Sequence, residues 1–200
     1  MMISQDTNIA KANWQNWINV FEHQGAIEQN PLLTSSEIFK KFLGEYNVHR
    51  TIRAGKSDEF RKVFNSVDLR LAEKLNDSSG RCIDELEDLL RWDFGTMNGK
   101  RGIKSVISKI AAFLCPEKFV AWDKFARKGI ACVRYSKSTH TYNAYADYLA
   151  DVNFLLNEKM QYDLLDACQK NYPTQYSSES KRFQRRVLDV YLMRTGGRWK

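Results

Sequence analysis

The residues best suited to chemistry lie in one stretch of the chain, from Asn98 to Lys128. Lys104 and Asp123 stand nineteen positions apart within it. A neutral lysine amine is a nucleophile that forms Schiff bases with carbonyl carbons, and a carboxylate can accept a proton or stabilise a developing positive charge. The chemistry of these two residue types makes Lys104 and Asp123 candidates for a catalytic pair.

A basic turn opens the same stretch and reads Gly99, Lys100, Arg101, Gly102. Glycines at positions 99 and 102 allow the backbone of the turn to take a positive φ. The amides of a turn that opens a helix can point at one phosphate group. Two helices joined by such a turn form a helix-hairpin-helix, which grips one DNA strand whatever its sequence.

Positive charge is concentrated in two segments. Residues 99–137 hold ten Lys or Arg against two acidic residues, and residues 181–200 hold seven against one, whereas the whole chain carries a net charge of +7. The remainder is therefore net acidic. Segregated basic charge suits a phosphate backbone, which supplies most non-specific affinity, so nucleic acid is favoured over a membrane as the partner.

The sequence lacks the features expected of several other classes of protein. No stretch approaches the roughly 20 apolar residues that span a bilayer, and the first residues lack the pattern of a signal peptide. The 4 cysteines are far apart and the 3 histidines are scattered. We therefore expect free thiols, no metal site, and a monomer in the cytoplasm, associated with the nucleoid in a bacterium.

The spacing of apolar residues predicts an all-α fold of about eight to ten helices, since only 10 Gly and 3 Pro interrupt the chain. Thr34 to Glu37 is typical of a capping box, and Ser57 of the cap of the next helix. A helix is predicted from Ile103 to Leu114. An acidic run is interpreted as a solvated helix face near a helix start: Asp84, Glu85, Glu87 and Asp88.

One resemblance connects these features. The central stretch contains Gly102-Ile103-Lys104, then a helix, and then Phe119-Val120-Ala121-Trp122-Asp123. This order resembles the helix-hairpin-helix DNA glycosylases of the 8-oxoguanine and endonuclease III group. That superfamily has a Gly-x-Lys at the second hairpin helix and an Asp about nineteen residues later. Arg127 falls where a basic residue often follows that Asp. The chain departs from the pattern in its hairpin, which lacks the usual Pro, and it lacks the four-cysteine iron–sulfur loop.

The resemblance implies two lobes around a cleft, one formed by residues 1–32 with 125–200 and the other by residues 33–124. It implies a DNA glycosylase and AP lyase that excises an oxidised or otherwise modified base, such as 8-oxoguanine, from duplex DNA. Lys104 would attack the sugar C1′ after losing its proton, helped by burial and by the positive charges of Lys100, Arg101 and Lys109. Asp123 would accept that proton or stabilise the charged sugar.

The resemblance also implies binding residues. The DNA backbone would be held by Gly99, Lys100, Arg101, Gly102, Arg127, Lys128 and Arg185. A flipped base would meet aromatic side chains and a terminal lysine, namely Trp92, Trp122, Trp199 and Lys200. No organic cofactor is implied, and the hairpin has room for a monovalent cation.

The sequence leaves alternatives open. Lys104 can be an ordinary exposed helix lysine, and Asp123 an N-cap for the helix from Lys124, a position that is compatible with catalysis because it orients the carboxylate. The protein can then be a non-catalytic helix-hairpin-helix module, a monofunctional glycosylase that relies on Asp123, or a helical protein with an acidic protein partner. The identity of the modified base, and a role in repair or in defence, are open too.

Overall fold

The computed structural model describes residues 6–10, 30–66, 79–96, 102–115, 117–136, 142–159, 162–163 and 181–198. Their regular structure is helical: α1 (Pro31–Thr34), α2 (Ser36–Glu45), α3 (Ser57–Ser66), α4 (Arg81–Phe94), α5 (Lys104–Leu114), α6 (Lys124–Tyr135), α7 (Tyr145–Phe154) with a π-helix at Leu155–Lys159, and α8 (Lys181–Thr195). Residues 6–10 are helical as well. In these ranges the only β-type pairing is one antiparallel bridge between Ile52 and Gly95. The prediction of an all-α fold is confirmed for this part of the chain.

The chain divides into two compact units. The first contains residues 1–20 and 122–200 and the second contains residues 21–121, so the second is an insertion into the first. These limits differ from the lobe limits that the sequence suggested, near residues 32 and 124. In the described ranges, no helix has the length and apolar character that a membrane span requires.

The unit of residues 21–121 is built on an aromatic core. The ring of Phe60, from α3, lies 6.1 Å from that of Phe39 in α2 and 5.4 Å from that of Phe94 in α4. Phe113 of α5 meets the ring of Phe42 in α2 edge to face, at 5.8 Å between centroids. Aromatic pairs at these separations contribute beyond the area that they bury. This core therefore ties α2, α3, α4 and α5 together.

The start of α2 corrects one local prediction. Ser35, not Thr34, is the N-cap, and its hydroxyl accepts the amide of Ile38 at 3.3 Å. Thr34 is the last residue of α1, and its own hydroxyl donates to the carbonyl of Asn30 at 3.3 Å. Because Thr34 is already helical, Ser35 is the residue with the extended backbone that a cap requires. Ser57, predicted as the cap of the next helix, is instead the first residue of α3, and the carbonyl of Lys56 before it accepts the amide of Phe60 at 2.8 Å.

In the other unit, α6 and the end of α8 pack so closely that their backbones are in contact. A Cβ added at Gly129 of α6 would stand 1.9 Å from the carbonyl oxygen of Leu192, and one added at Gly196 would stand 1.9 Å from that of Phe125. Only glycine leaves room for such an approach. The side chain of Arg194 in α8 also binds Asp6, whose carboxylate is fully buried, through two hydrogen bonds of 2.8 and 2.7 Å.

A buried carboxylate organises the region around α7. Asp151 accepts hydrogen bonds from Arg134 Nε at 3.1 Å, Tyr135 Oη at 2.7 Å and Tyr142 Oη at 2.6 Å. Burial and the hydrogen bond to Asp151 raise the pKa of Tyr142, and the same hydrogen bond is the main cause that raises the pKa of Tyr135. Donors converging on a buried carboxylate offset the cost of its burial.

Candidate active site

Lys104 lies between two carboxylates of α4. Its Nζ is 2.6 Å from Asp84 Oδ1 and 3.1 Å from Glu87 Oε2. The Lys104 side chain is 13% exposed, against 26% for Asp84 and 14% for Glu87. The interpretation of Lys104 as an ordinary exposed helix lysine is therefore wrong, because lysine is rarely buried to this extent unless it is paired.

The two helices produce this arrangement by their register. Asp84 and Glu87 are three residues apart, so they project from one face of α4. Lys104 is the first residue of α5, and its amide donates to Glu87 Oε1 at 3.2 Å. One carboxylate thus binds both the amide and the ammonium of the same residue. A helix N-terminus favours negative charge, which supports this position for Glu87.

Gly102 makes room for that carboxylate. A Cβ at Gly102 would stand 1.9 Å from Glu87 Oε1. The φ of Gly102 does not lie in the left-handed region, so the positive φ that glycine allows is not used at this position. Glycine is needed here for the close approach of a side chain, which is a different use of the same residue.

These contacts correct the electrostatic prediction for Lys104. Asp84 and Glu87 were expected on a solvated face and instead bind the lysine, whereas Glu85 and Asp88 are exposed as predicted. Lys109, expected as a positive neighbour, is buried and donates to the carbonyl of Tyr46 at 3.0 Å. The described surroundings of the Lys104 ammonium therefore include two negative charges that sequence reasoning missed.

Asp123 is the N-cap of α6, as one of the sequence interpretations held. Its backbone is extended, and its Oδ1 accepts the amides of Phe125 at 2.8 Å and Ala126 at 3.4 Å. The other oxygen, Oδ2, lies 3.9 Å from Nη1 of Arg198. The carboxylate is thus held in a fixed direction with one oxygen bound by the helix. Lys104 belongs to the unit of residues 21–121 and Asp123 to the other unit.

Trp122 and Arg127 form a stacked pair beside Asp123. The guanidinium carbon of Arg127 lies 4.2 Å from the centroid of the Trp122 ring, within the range of a cation–π interaction. The ring itself is buried and packs near Tyr145 and Tyr148, at 5.9 and 5.4 Å between centroids. Burial lowers the pKa of Arg127, and the negative charge of the Asp123 carboxylate opposes this effect. Trp122 therefore does not offer the open stacking surface that was predicted for a base.

The structure also corrects the predicted role of Arg185. It was expected to contact the DNA backbone, but it is buried in α8 and its Nη2 donates to Asn153 Oδ1 at 2.8 Å. Lys128 is exposed on α6, as backbone contact requires, and Trp92 is 60% exposed at the surface of α4. The predicted contacts Gly99, Lys100, Arg101, Trp199 and Lys200 lie outside the described residues.

The basic segments are only partly available to a polyanion. Arg134 binds Asp151, Arg186 binds Asp189, and Arg194 binds Asp6. Together with Lys104, Lys109 and Arg185, these side chains have partners within the protein. Exposed positive charge in the described ranges includes Lys124, Lys128 and Arg198. Net charge counted along the sequence therefore overstates the charge that faces solvent.

The described ranges contain no group of three or more His, Cys, Asp or Glu residues placed to hold a metal ion. Comparison with known proteins adds no assignment: no protein-family model, no curated protein and no solved structure matches this chain.

Proposed function

We propose that this protein is a DNA glycosylase with AP lyase activity, in which Lys104 attacks C1′ of a modified nucleotide. In this proposal α4, the segment between residues 95 and 103, and α5 form a helix-hairpin-helix. The observation that carries it is the position of Lys104, nearly enclosed at the first residue of α5 and directly after Gly102 and Ile103. A lysine fixed at such a point has a defined direction for its amine, which a reaction with a sugar carbon needs.

The reaction requires separate tasks of separate groups. Attack by the neutral amine at C1′ displaces the base and leads to a Schiff base, which permits strand cleavage by β-elimination. The target nucleotide must leave the base stack before C1′ can be reached. A carboxylate that is held in a fixed direction, as that of Asp123 is by the α6 amides, can stabilise a positively charged sugar. The substrate class is duplex DNA with an oxidised or otherwise modified base, or an abasic site.

A second candidate function is supported by the same contacts. A lysine paired with two carboxylates is also what a purely structural ion pair looks like. If Lys104 only joins α4 to α5, the protein is a non-catalytic helix-hairpin-helix module that binds DNA through exposed lysines and backbone amides. The two functions predict opposite results for a Lys104 variant on DNA.

Borohydride trapping separates them. The protein is incubated with duplexes that carry an abasic site, 8-oxoguanine or another single modified base, and the Schiff base is reduced to a stable adduct. We expect an adduct with at least one duplex, and its loss in Lys104→Ala. Lys41→Ala is the matched control, because Lys41 lies exposed in α2 of the same unit.

An adduct that persists in Lys104→Ala would remove the lysine from the mechanism. If no duplex gives an adduct, while the protein still binds DNA with an affinity that falls steeply with salt, the non-catalytic module is the correct function. A duplex whose base is released without any adduct would indicate a monofunctional glycosylase that relies on Asp123.

A further inference from the structure

The two carboxylates around Lys104 differ in how they are held. Glu87 is fixed by three features: its contact with the Lys104 ammonium, its hydrogen bond from the Lys104 amide, and its close approach to Gly102. Asp84 makes the shorter contact with the ammonium, 2.6 Å, and its side chain is about twice as exposed as that of Glu87. The pair thus consists of a rigid counter-charge and a more accessible carboxylate at hydrogen-bond distance from Nζ.

Schiff-base formation needs a group with the properties of Asp84. The ammonium must lose a proton before the amine can attack, and the hydroxyl of the resulting carbinolamine must gain one before it can leave. A carboxylate within hydrogen-bond reach of the nitrogen can do both, and it must also be reachable by the substrate. Glu87 is held away from this task by the amide at the start of α5. Asp123 Oδ1 is bound by two amides of α6.

We propose that Asp84 is the proton carrier for Lys104, a role that rests on the proposed function above. Asp84 Oδ1 takes a proton from the Lys104 ammonium. The neutral amine adds to the C1′ aldehyde of an abasic sugar, forming the C–N bond, and an internal proton shift gives the carbinolamine. Asp84 returns its proton to the carbinolamine hydroxyl, the C–O bond breaks, and water leaves. Ammonium and aldehyde become iminium and water, with one positive charge on each side.

Glu87 has a complementary task in this scheme. Its oxygens are engaged by the Lys104 amide and the lysine nitrogen, so the carboxylate stays beside that nitrogen. A fixed negative charge close to the nitrogen stabilises the iminium as it stabilised the ammonium. The division of labour follows from the geometry: one carboxylate is held in place and the other can move its proton.

The test measures the initial rate of borohydride-trapped adduct on a duplex with one abasic site. We expect Asp84→Asn to lower this rate by about 10²-fold at neutral pH, the size typical of a lost general acid–base group. The rate of the variant should rise more steeply with pH than that of the wild type, because hydroxide then has to remove the proton. Glu85→Gln, one position further along the same helix and exposed, should keep the wild-type rate.

A second variant distinguishes proton transfer from folding. Asp84→Ala should be equally slow, and added formate should raise its rate, because a small acid can enter the vacated space; a purely structural role gives no such rescue. If Asp84→Asn reacts as fast as the wild type or faster, Asp84 only stabilises the ammonium and the assignment is wrong. If the wild-type protein gives no adduct, the proposed function itself fails, and the assignment fails with it.

Discussion

Replacing Gly102 by alanine inserts one methyl group where the Glu87 carboxylate now lies. The new Cβ would stand 1.9 Å from Glu87 Oε1, and ordinary contact begins at 3.4 Å. The carboxylate must therefore retreat by about 1.5 Å. That movement lengthens the 3.1 Å contact between Glu87 Oε2 and Lys104 Nζ and the 3.2 Å hydrogen bond from the Lys104 amide.

The free energy of unfolding should fall by a small and definite amount. A hydrogen bond to a charged group contributes about 1.5–3 kcal/mol. Asp84 remains beside the ammonium, so the lysine charge is not left alone. Alanine at a position whose φ it can adopt returns about 0.4–1 kcal/mol by restricting the unfolded chain. The net loss is about 0.5–2.5 kcal/mol, which lowers the Tm of a chain of this size by about 1–10 °C.

Thermal and urea unfolding of Gly102→Ala measure this loss, with Gly44→Ala as the control. Gly44 lies in α2 with no atom within 4 Å of an added Cβ. The control should therefore gain about 0.4–1 kcal/mol from the same chemical change. Combining Gly102→Ala with Glu87→Gln should give less than the sum of the single effects, because both act on one contact. A Gly102→Ala protein as stable as Gly44→Ala would refute the position of the Glu87 carboxylate.

Two further substitutions test the other unit. Gly129→Ala directs its methyl at the carbonyl oxygen of Leu192, a backbone atom that cannot rotate away. The substitution should lower the free energy of unfolding by about 1–3 kcal/mol through overpacking, even after the gain in helix propensity. A urea midpoint equal to that of Gly44→Ala would contradict the close approach of α6 and α8. Tyr142→Phe tests the buried network around Asp151. The folded protein raises the pKa of Tyr142. The protonated phenol therefore contributes stability below the ordinary tyrosine pKa of about 10, and this contribution is lost as the pH rises above that value. The wild type should therefore lose more stability than Tyr142→Phe between about pH 8 and 11, and equal losses would show that Tyr142 is not the group responsible.

Features that depend on a few neighbouring residues could be predicted from the sequence. Asp123 caps α6 through amides two and three positions ahead, so the residue type and its place before an apolar run are sufficient. The predicted caps of α2 and α3 are each wrong by one residue, since Ser35 and not Thr34 caps α2, and Ser57 is already the first residue of α3. Nothing local distinguishes the last residue of α1 from a cap.

Partners far apart in the sequence could not be predicted from these patterns. Lys104 meets Glu87 17 positions away, Arg185 meets Asn153 32 positions away, and Lys109 meets Tyr46 63 positions away. A helix pattern identifies the apolar face, but a charged residue at its border is equally compatible with solvent and with a partner on another helix. In α4, Asp84 and Glu87 directly follow the buried residues Ile83 and Leu86. That border position is the one signal that could have separated them from Glu85 and Asp88.

The ion pair between Asp6 and Arg194 constrains the order in which the protein can fold during synthesis. The unit of residues 21–121 is continuous, and all of it is translated before α6 and α8. The other unit buries Asp6 against a partner 188 positions later in the chain. At about 5–20 residues per second, Arg194 follows Asp6 from the ribosome by about 10 to 40 s. Over that interval the unit of residues 21–121 can complete its aromatic core, whereas the other unit cannot be completed until α8 has been synthesised.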